Sequence, residues 1–375
     1  MASIDAGSIP TPWLTAAIRS LPSRGAAASA EGVAATGMKV RALHLNESPY
    51  PPSPRVQEAI AKAAGALNRY PDRLASALAK ALAERTGVPT TRIVFGAGSE
   101  ELIGAISTMC LGTGDRIVVP APSFPVFGFS ARLRDATPVR AKLDAEGAND
   151  ASALLDAIAP KTRVAVCCTP NPPSGGMMRA EALERVIAGV PAEILLVVDE
   201  AYHEFGRHAG GPDVLALVRR RAGPWVVLRT FSKAYGLAGQ RLGYALCASE
   251  RVAEALLQVK LHFSATTLSQ AAALAALSDD AYLAKTLDAV ARERERMSRG
   301  LRELGLRPWP SAGNFVSVAM PMPATAAMAA LAERGILVRD WRDPEYLHEL
   351  RITVGLPEDT DALLAAIGGI LGRSG

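Results

Sequence analysis

Lys233 is the residue in this sequence best placed for covalent chemistry. The segment Arg229-Thr-Phe-Ser-Lys-Ala-Tyr-Gly-Leu-Ala-Gly-Gln-Arg-Leu-Gly243 sets it directly after an apolar, strand-like run. Burial at such a point lowers a lysine's pKa and makes its amine nucleophilic. Ser232 beside it and Arg241 eight positions on supply a hydroxyl and a guanidinium, a pair suited to a phosphate dianion. Gly236 and Gly239 let the backbone approach a ligand closely. A single lysine beside a loop is ordinarily a solvated charge. The complete string argues against that.

Two further strings could serve the same ligand. Gly96-Ala-Gly-Ser-Glu100 follows a run ending at Phe95 and opens a helix, where free amides bind phosphate. Val198-Asp-Glu-Ala-Tyr202 puts Asp199 at the C-terminal end of another strand, where ligands gather in open α/β sheets. Each string alone is weak, since a glycine turn or a solvated strand end explains it as well. In register with Lys233 they gain force.

Together these strings resemble the signature of fold-type I pyridoxal 5′-phosphate (PLP)-dependent aminotransferases of class I/II, most closely the histidinol-phosphate aminotransferase branch. The likeness runs in order from about Leu43 to the C-terminus. It implies that Lys233 is the Schiff-base lysine and proton shuttle. Ser232, Arg241, Gly98 and Ser99 would hold the cofactor phosphate, with Thr230 a further candidate. Asp199 would pair with the pyridine nitrogen, which must stay protonated for the ring to act as an electron sink. Tyr202 would hydrogen-bond the cofactor's 3′-oxygen.

Pro122-Ser-Phe-Pro-Val-Phe127 matches a family P-T-Y-x-x-Y pattern. That puts Phe124 on the pyridine face and Phe127 in the substrate pocket, although both rings could equally be core. Leu350-Arg-Ile-Thr-Val-Gly355 resembles the C-terminal motif, so Arg351 would grip the substrate carboxylate with its planar fork. Asn68-Arg-Tyr-Pro71 resembles the segment whose tyrosine reaches the partner subunit's cofactor phosphate, so Tyr70 implies a homodimer with shared active sites. Leu45-Asn-Glu-Ser-Pro-Tyr50 resembles an N-E-N-P segment, with Ser48 in place of the second asparagine as a substrate-side candidate. Asn314 matches a feature near the substrate, though turn formation also explains it.

The pattern breaks at Cys168-Thr-Pro-Asn-Pro-Pro-Ser-Gly175, where the family shows P-N-N-P-T-G. The family's second asparagine donates to the 3′-oxygen. In the ungapped register that position is Pro172, which has no side-chain donor. Asn171 could serve after a one-residue backbone shift, and we narrowly expect it to. Losing the donor would raise the pKa of the Schiff base. The substrate end is also open. Arg339, in Val338-Arg-Asp340, resembles an arginine kept for substrate phosphate, but an ordinary surface ion pair explains it as readily. Trp341 and Tyr346 beyond it would suit an apolar amino acid.

The elements that must position these residues alternate along the chain. Helical spacing marks 53–67 and 74–85, the latter closed by Gly87 and Pro89. Strand-like runs at 92–95, 115–119, 137–143, 163–168, 194–199, 225–229 and 244–247 are interleaved with helical stretches at 100–110, 124–133, 151–158 and 181–188. Ile194-Leu-Leu-Val-Val198 is apolar throughout, as in a strand covered on both faces. The expected class is α/β, with a mainly parallel sheet flanked by helices. A long helix over 279–304 would lead into a smaller C-terminal α/β domain. The expected division is an N-terminal arm (1–45), a large PLP-binding domain (46–265) and a small domain (266–375). Trp13, Leu14 and Ile18 could dock as one amphipathic turn of the arm. The Ala-, Ser-, Gly- and Arg-rich start overlaps transit-peptide composition, but Asp5 and the lack of a cleavage pattern speak against one.

Bulk properties fit a globular enzyme and narrow the classes. The 375 residues are 49% hydrophobic and 21% charged, with a formal charge of +4. No apolar run approaches the ~18 residues of a membrane span. Cys110, Cys167, Cys168 and Cys247 show no C-x-x-C spacing, which suggests free thiols in a reducing cytoplasm. The five histidines lack metal-ligand spacing, so no metal is expected. Arg219-Arg-Arg221 has no nucleic-acid module around it. The expected activity is therefore amino transfer between an amino acid or amino-alcohol phosphate and a 2-oxo acid. A decarboxylase or oxygen-using oxidase on the same scaffold is the alternative. A non-catalytic PLP-binding sensor is the alternative of another class.

Overall fold

The computed structural model of the chain describes residues 13–20 and 39–372. The arm expected over 1–45 falls mostly on 1–12 and 21–38, outside the described residues. Of its described part, Ala16–Ser20 is a single helical turn, with Trp13 and Ile18 exposed. Strand β1 (Arg41–Ala42) follows. The helix Pro54–Ala63 then begins where the Ser53 side chain accepts from the Val56 N–H, with Pro54 at its first position.

Seven strands form the central sheet: β2 (Ile93–Ala97), β3 (Arg116–Ala121), β4 (Thr137–Lys142), β5 (Thr162–Cys168), β6 (Leu195–Asp199), β7 (Trp225–Thr230) and β8 (Leu242–Cys247). Their order is β2-β8-β7-β6-β5-β3-β4. Only β8 runs antiparallel, to both β7 and β2. Every residue of β6, β7 and β8 is buried, because helices cover both faces. One apolar layer holds Leu183, Val186, Leu196, Val198 and Phe231. The other holds Leu102, Ile103, Ile106, Val197 and Leu228. Within each strand neighbouring residues go to opposite layers, as the pleat requires.

A second unit is built on the antiparallel strands β9 (Phe315–Ala319), β11 (Arg339–Asp340) and β12 (Glu349–Thr353), ordered β11-β12-β9. The 24-residue helix Asp280–Glu303 and the helix Pro357–Ile370 pack over it. Two segments cross the divisions drawn from sequence. Arg41 and Ala42 pair in parallel with β10 (Ile336–Leu337), and Leu43 joins the C-terminal core rather than an arm. The helix Thr267–Leu277 sends Ala272, Ala273, Ala276 and Leu277 into the core of the large unit. Tyr202, Phe205, Leu287, Phe315 and Val354 form an apolar cluster joining the two units. No helix among the described residues is long and apolar enough to cross a membrane.

Candidate active site

Strand register builds the first part of the site. Gly96 pairs with Gly243 and Ala97 with Leu242, while Thr230 pairs with Gly243 from the other side. These pairings bring the ends of β2, β7 and the start of β8 together, and with them Gly98–Ser99, Thr230–Ser232 and Arg241. The helix Gly98–Cys110 opens here, so its first amides have no partner within the helix. Gly98 has φ +77, and a Cβ on it would lie 2.8 Å from Arg241 Nη2. A Cβ on Gly243 would lie 2.4 Å from the Ser99 nitrogen. Both positions therefore require glycine. Thr230 Oγ1 accepts from the Ser232 N–H at 3.1 Å and donates to Ser232 Oγ at 3.0 Å, which holds that hydroxyl in place. Amides, a hydroxyl and a guanidinium thus converge on one pocket, as an anion needs.

Asp199 ends β6 with its carboxylate buried. It accepts from the Ala201 N–H at 2.9 Å and is in no ion pair among the described residues. Burial pushes its pKa up to about 6. A buried carboxylate without a counter-ion is costly, so a cationic ligand group fits here. Lys233 Nζ donates to the carbonyls of Leu45 and Asn46, each at 3.1 Å, and stands 5.9 Å over the Tyr202 ring. Burial, then the charge of Arg351, draws its pKa down to about 8. This amine therefore gives up its proton much nearer to neutral pH than an exposed lysine does. The Tyr202 hydroxyl accepts from Asn46 Nδ2 at 2.7 Å. Burial raises its pKa, with Arg351 and the Asn46 bond opposing.

The three-stranded sheet supplies the other end. Ser317, Arg351 and Arg339 are cross-strand partners, so their side chains share one face. Arg351 Nη2 donates to the His44 carbonyl at 2.5 Å, while its buried Nε has no partner among the described residues. Arg339, half-buried beside it, is in no ion pair among the described residues, unlike Arg342, which meets Asp340. Trp341 donates from its indole N–H to Ser317 Oγ at 3.1 Å and packs with Trp309 and Tyr346. An aromatic cluster thus flanks the two guanidiniums.

Several residues stand elsewhere than the sequence suggested. Phe127 is 1% exposed and sits in the core layer with Leu102 and Ile103, because its helix turns that position toward the sheet. It lines no substrate pocket. Phe124 is half-buried at the edge of the same layer. Asn171 cannot act as the 3′-oxygen donor. Its amide donates to the Pro122 carbonyl and to Ser174 Oγ, and its Oδ1 accepts from Ser123 Oγ, so it braces the loop instead. Ser48 exchanges hydrogen bonds with Tyr50 in a local turn beside Gly236. Asn314 Nδ2 donates to the carbonyls of Asn46 and Glu47 and so supports that segment. Tyr70 stacks on Phe263 at 4.8 Å and is 82% exposed, outside the cluster. Asn46 and Thr353 were not singled out from sequence. Both lie inside quoted motifs, but their partners are more than 150 positions away.

The donor set suits a flat cationic ring with a phosphate tail. The glycine cradle takes the phosphate, Asp199 the ring's charge, and the Tyr202 hydroxyl a ring oxygen. The amine of Lys233 stands between them.

The comparisons with known proteins point the same way. Residues 39–367 match the family model for aminotransferase class I and II. The chain is 40% identical over 323 residues to the aromatic amino acid aminotransferase of Rhodococcus jostii, across 86% of this chain and 88% of that one. It is 36% identical over 343 residues to histidinol-phosphate aminotransferase 2 of Caulobacter vibrioides, across 91% and 89%. The crystal structure of histidinol-phosphate aminotransferase from Sinorhizobium meliloti, in complex with pyridoxal 5′-phosphate, aligns with a TM-score of 0.88 at 30% identity, covering 99% of each chain.

Proposed function

The chain belongs to the class I and II aminotransferases and uses PLP; on that premise, we propose that its amino substrate is a ring-bearing compound with a phosphate end, of the histidinol-phosphate kind. The observation that carries this is Arg339, a guanidinium without an ion-pair partner among the described residues, directly opposite Arg351 on one sheet face. One planar fork satisfies a carboxylate, and a second guanidinium beside it adds charge-assisted hydrogen bonds that a phosphate dianion, with its larger charge and third oxygen, can use. Trp309, Trp341 and Tyr346 would pack beside the substrate's ring.

PLP, when bound, supplies an electron sink that acidifies the substrate's Cα–H. The chain's own residues do the rest. Gly98, Ser99, Ser232 and Arg241 hold the phosphate, with Thr230 fixing the Ser232 hydroxyl. Asp199 keeps the ring nitrogen protonated, and binding that cation relieves its own burial. Tyr202 donates to the ring oxygen, and Phe124 packs against the ring. Arg351 and Arg339 orient the substrate so that its Cα comes within reach of Lys233. Lys233 Nζ then takes and returns the proton, a task suited to an amine with pKa near the working pH.

The test is a half-reaction assay on the PLP-loaded enzyme, following cofactor absorbance with single amino donors. Histidinol phosphate should convert the cofactor, and histidinol lacking the phosphate should do so about a hundredfold less well. Equal rates with both would sink the proposal. Faster conversion by phenylalanine or tyrosine would favour the second reading, an aromatic amino acid substrate, which the aromatic cluster and the Rhodococcus relative support. The assembly we propose is a homodimer in which Tyr70 reaches the partner's phosphate site. The exposed Tyr70, Leu67, Leu74 and Leu261 support this. A cytoplasmic location is proposed on the four free cysteines.

A further inference from the structure

Asn46 has no assigned part in the site, yet it touches Tyr202, Lys233 and Asn314 at once. Its Nδ2 donates to the Tyr202 oxygen at 2.7 Å, and its carbonyl accepts from Lys233 Nζ at 3.1 Å and Asn314 Nδ2 at 3.0 Å. Thr353 fixes the way the amide faces. The threonine hydroxyl accepts the Asn46 backbone N–H at 2.9 Å and donates to Asn46 Oδ1 at 3.2 Å, leaving Nδ2 for Tyr202. Asn46 also has φ 54, a left-handed conformation that asparagine, aspartate and glycine adopt at least cost.

A phenol has one proton to give and two lone pairs to fill. Asn46 fills a lone pair on Tyr202, and among the described residues nothing accepts the phenolic proton. That proton is left available to a ligand. Hydrogen bonds in a chain polarise one another, so a phenol that accepts from Asn46 donates more strongly. The need for a strong donor follows from the loop at 168–175. Pro172 has no side-chain N–H, and Asn171 has both of its own engaged in the loop.

We propose that Asn46 is a positioning residue that compensates, through Tyr202, for the hydrogen-bond donor missing at Pro172. It turns the Tyr202 hydroxyl toward the cofactor's ring oxygen and strengthens that bond. The proposal rests on the PLP-aminotransferase reading of the site. The charged and titratable groups facing Tyr202 are Arg351 from β12, Asp199 and Cys168 from the strand ends, and Lys233 over the ring. All of them are retained in the Asn46 variants.

The test uses the full chain reconstituted with PLP and reads the pH midpoint of the bound cofactor's visible absorbance change. Asn46→Asp keeps the shape and tolerates the backbone angle, but replaces the donor by an acceptor that draws the phenolic proton to itself. Asn46→Gly removes the donor without adding charge. Each variant should raise the midpoint by about one pH unit and weaken PLP retention about tenfold. In a Tyr202→Phe background Asn46→Gly should have no further effect, because its path runs through the phenol. Adding Pro172→Asn to Asn46→Gly should return the midpoint to the wild-type value. An unchanged midpoint in both single variants overturns the proposal, as does a full shift by Asn46→Gly in the Tyr202→Phe background. Wild-type protein that binds no PLP would overturn the reading of the site and this proposal with it. Normal wild-type titration beside unshifted variants would overturn this proposal alone.

Discussion

The phosphate cradle at the end of the seven-stranded sheet and the arginine row on the three-stranded sheet both offer cations to an anion, but they are built differently. The cradle is set by backbone register, which puts Gly96 against Gly243 and Thr230 against Gly243, with two glycines whose Cβ atoms would collide. The arginine row also starts from register, with Arg339 opposite Arg351, but its working groups are the ends of long side chains, and Arg351 is held by its grip on the His44 carbonyl. Backbone register tolerates little variation. Side-chain grips can be exchanged singly, so the substrate end can be retuned while the cofactor end stays fixed.

If this contrast holds, damage should scale with closeness to the cofactor end. Lys233→Ala should lower the half-reaction rate by about three orders of magnitude or more, since it removes the proposed proton carrier at Cα. Residual turnover near wild type would break the contrast outright. Asp199→Asn should cost about a hundredfold in rate, yet stabilise the PLP-free protein at pH 7. The carboxyl's pKa is raised from 3.8 to about 6, so its contribution is fully present at low pH and is lost as pH rises through that window. Two pH units correspond to at most about 3 kcal/mol. Urea unfolding of the PLP-free variant at pH 4 and pH 7 should show a gain only at the higher pH.

At the arginine row the effects should be smaller and fall on substrate binding. Arg351→Lys should raise KM about tenfold or more, because an ammonium cannot reproduce the planar fork. Arg339→Gln should weaken phosphorylated donors about tenfold and leave unphosphorylated ones nearly untouched. Uniform loss with all donors would assign Arg339 to folding instead. Uptake of PLP by the empty protein should quicken with pH and level off above about 8, following the neutral fraction of Lys233. The smallest change should come from Phe127→Leu. We expect a stability loss of about 1 kcal/mol and an unaltered donor preference.

The cluster of strand ends around Lys233 was legible in the sequence because each part is local. The Lys233 string, the glycine turn at 96–100 and Asp199 each sit at a strand end that apolar runs announce, and the alternation of those runs gave the sheet. The substrate end was read less well. Phe127 and a pocket-lining ring look alike in sequence, and only the helix's rotation decides between them. Asn171 kept its type but not its freedom, since three loop partners consume its amide. Asn46 escaped notice because its partners Tyr202 and Thr353 lie 156 and 307 positions away, and no spacing rule reaches so far. The packing of the segment just after the expected division at residue 265 was hidden for a related reason. The helix Thr267–Leu277 is apolar on the side facing Pro54–Ala63, a contact invisible to local periodicity.

The short pairing of Arg41–Ala42 with Ile336–Leu337 bears on how the enzyme is made in the cell. A ribosome delivers residues 41–46 first and their partners Ile336, Leu337, Arg351 and Thr353 last. Until those segments emerge, the stretch that receives Lys233 lacks the strand pairing of Arg41–Ala42 and the Thr353 bonds to Asn46. The large unit's sheet has all its strands before residue 250, so it can form ahead of the segments that brace 41–46 from the other unit. Assembly of the cluster around Lys233 is thereby coupled to docking of the two units rather than to formation of the sheet alone.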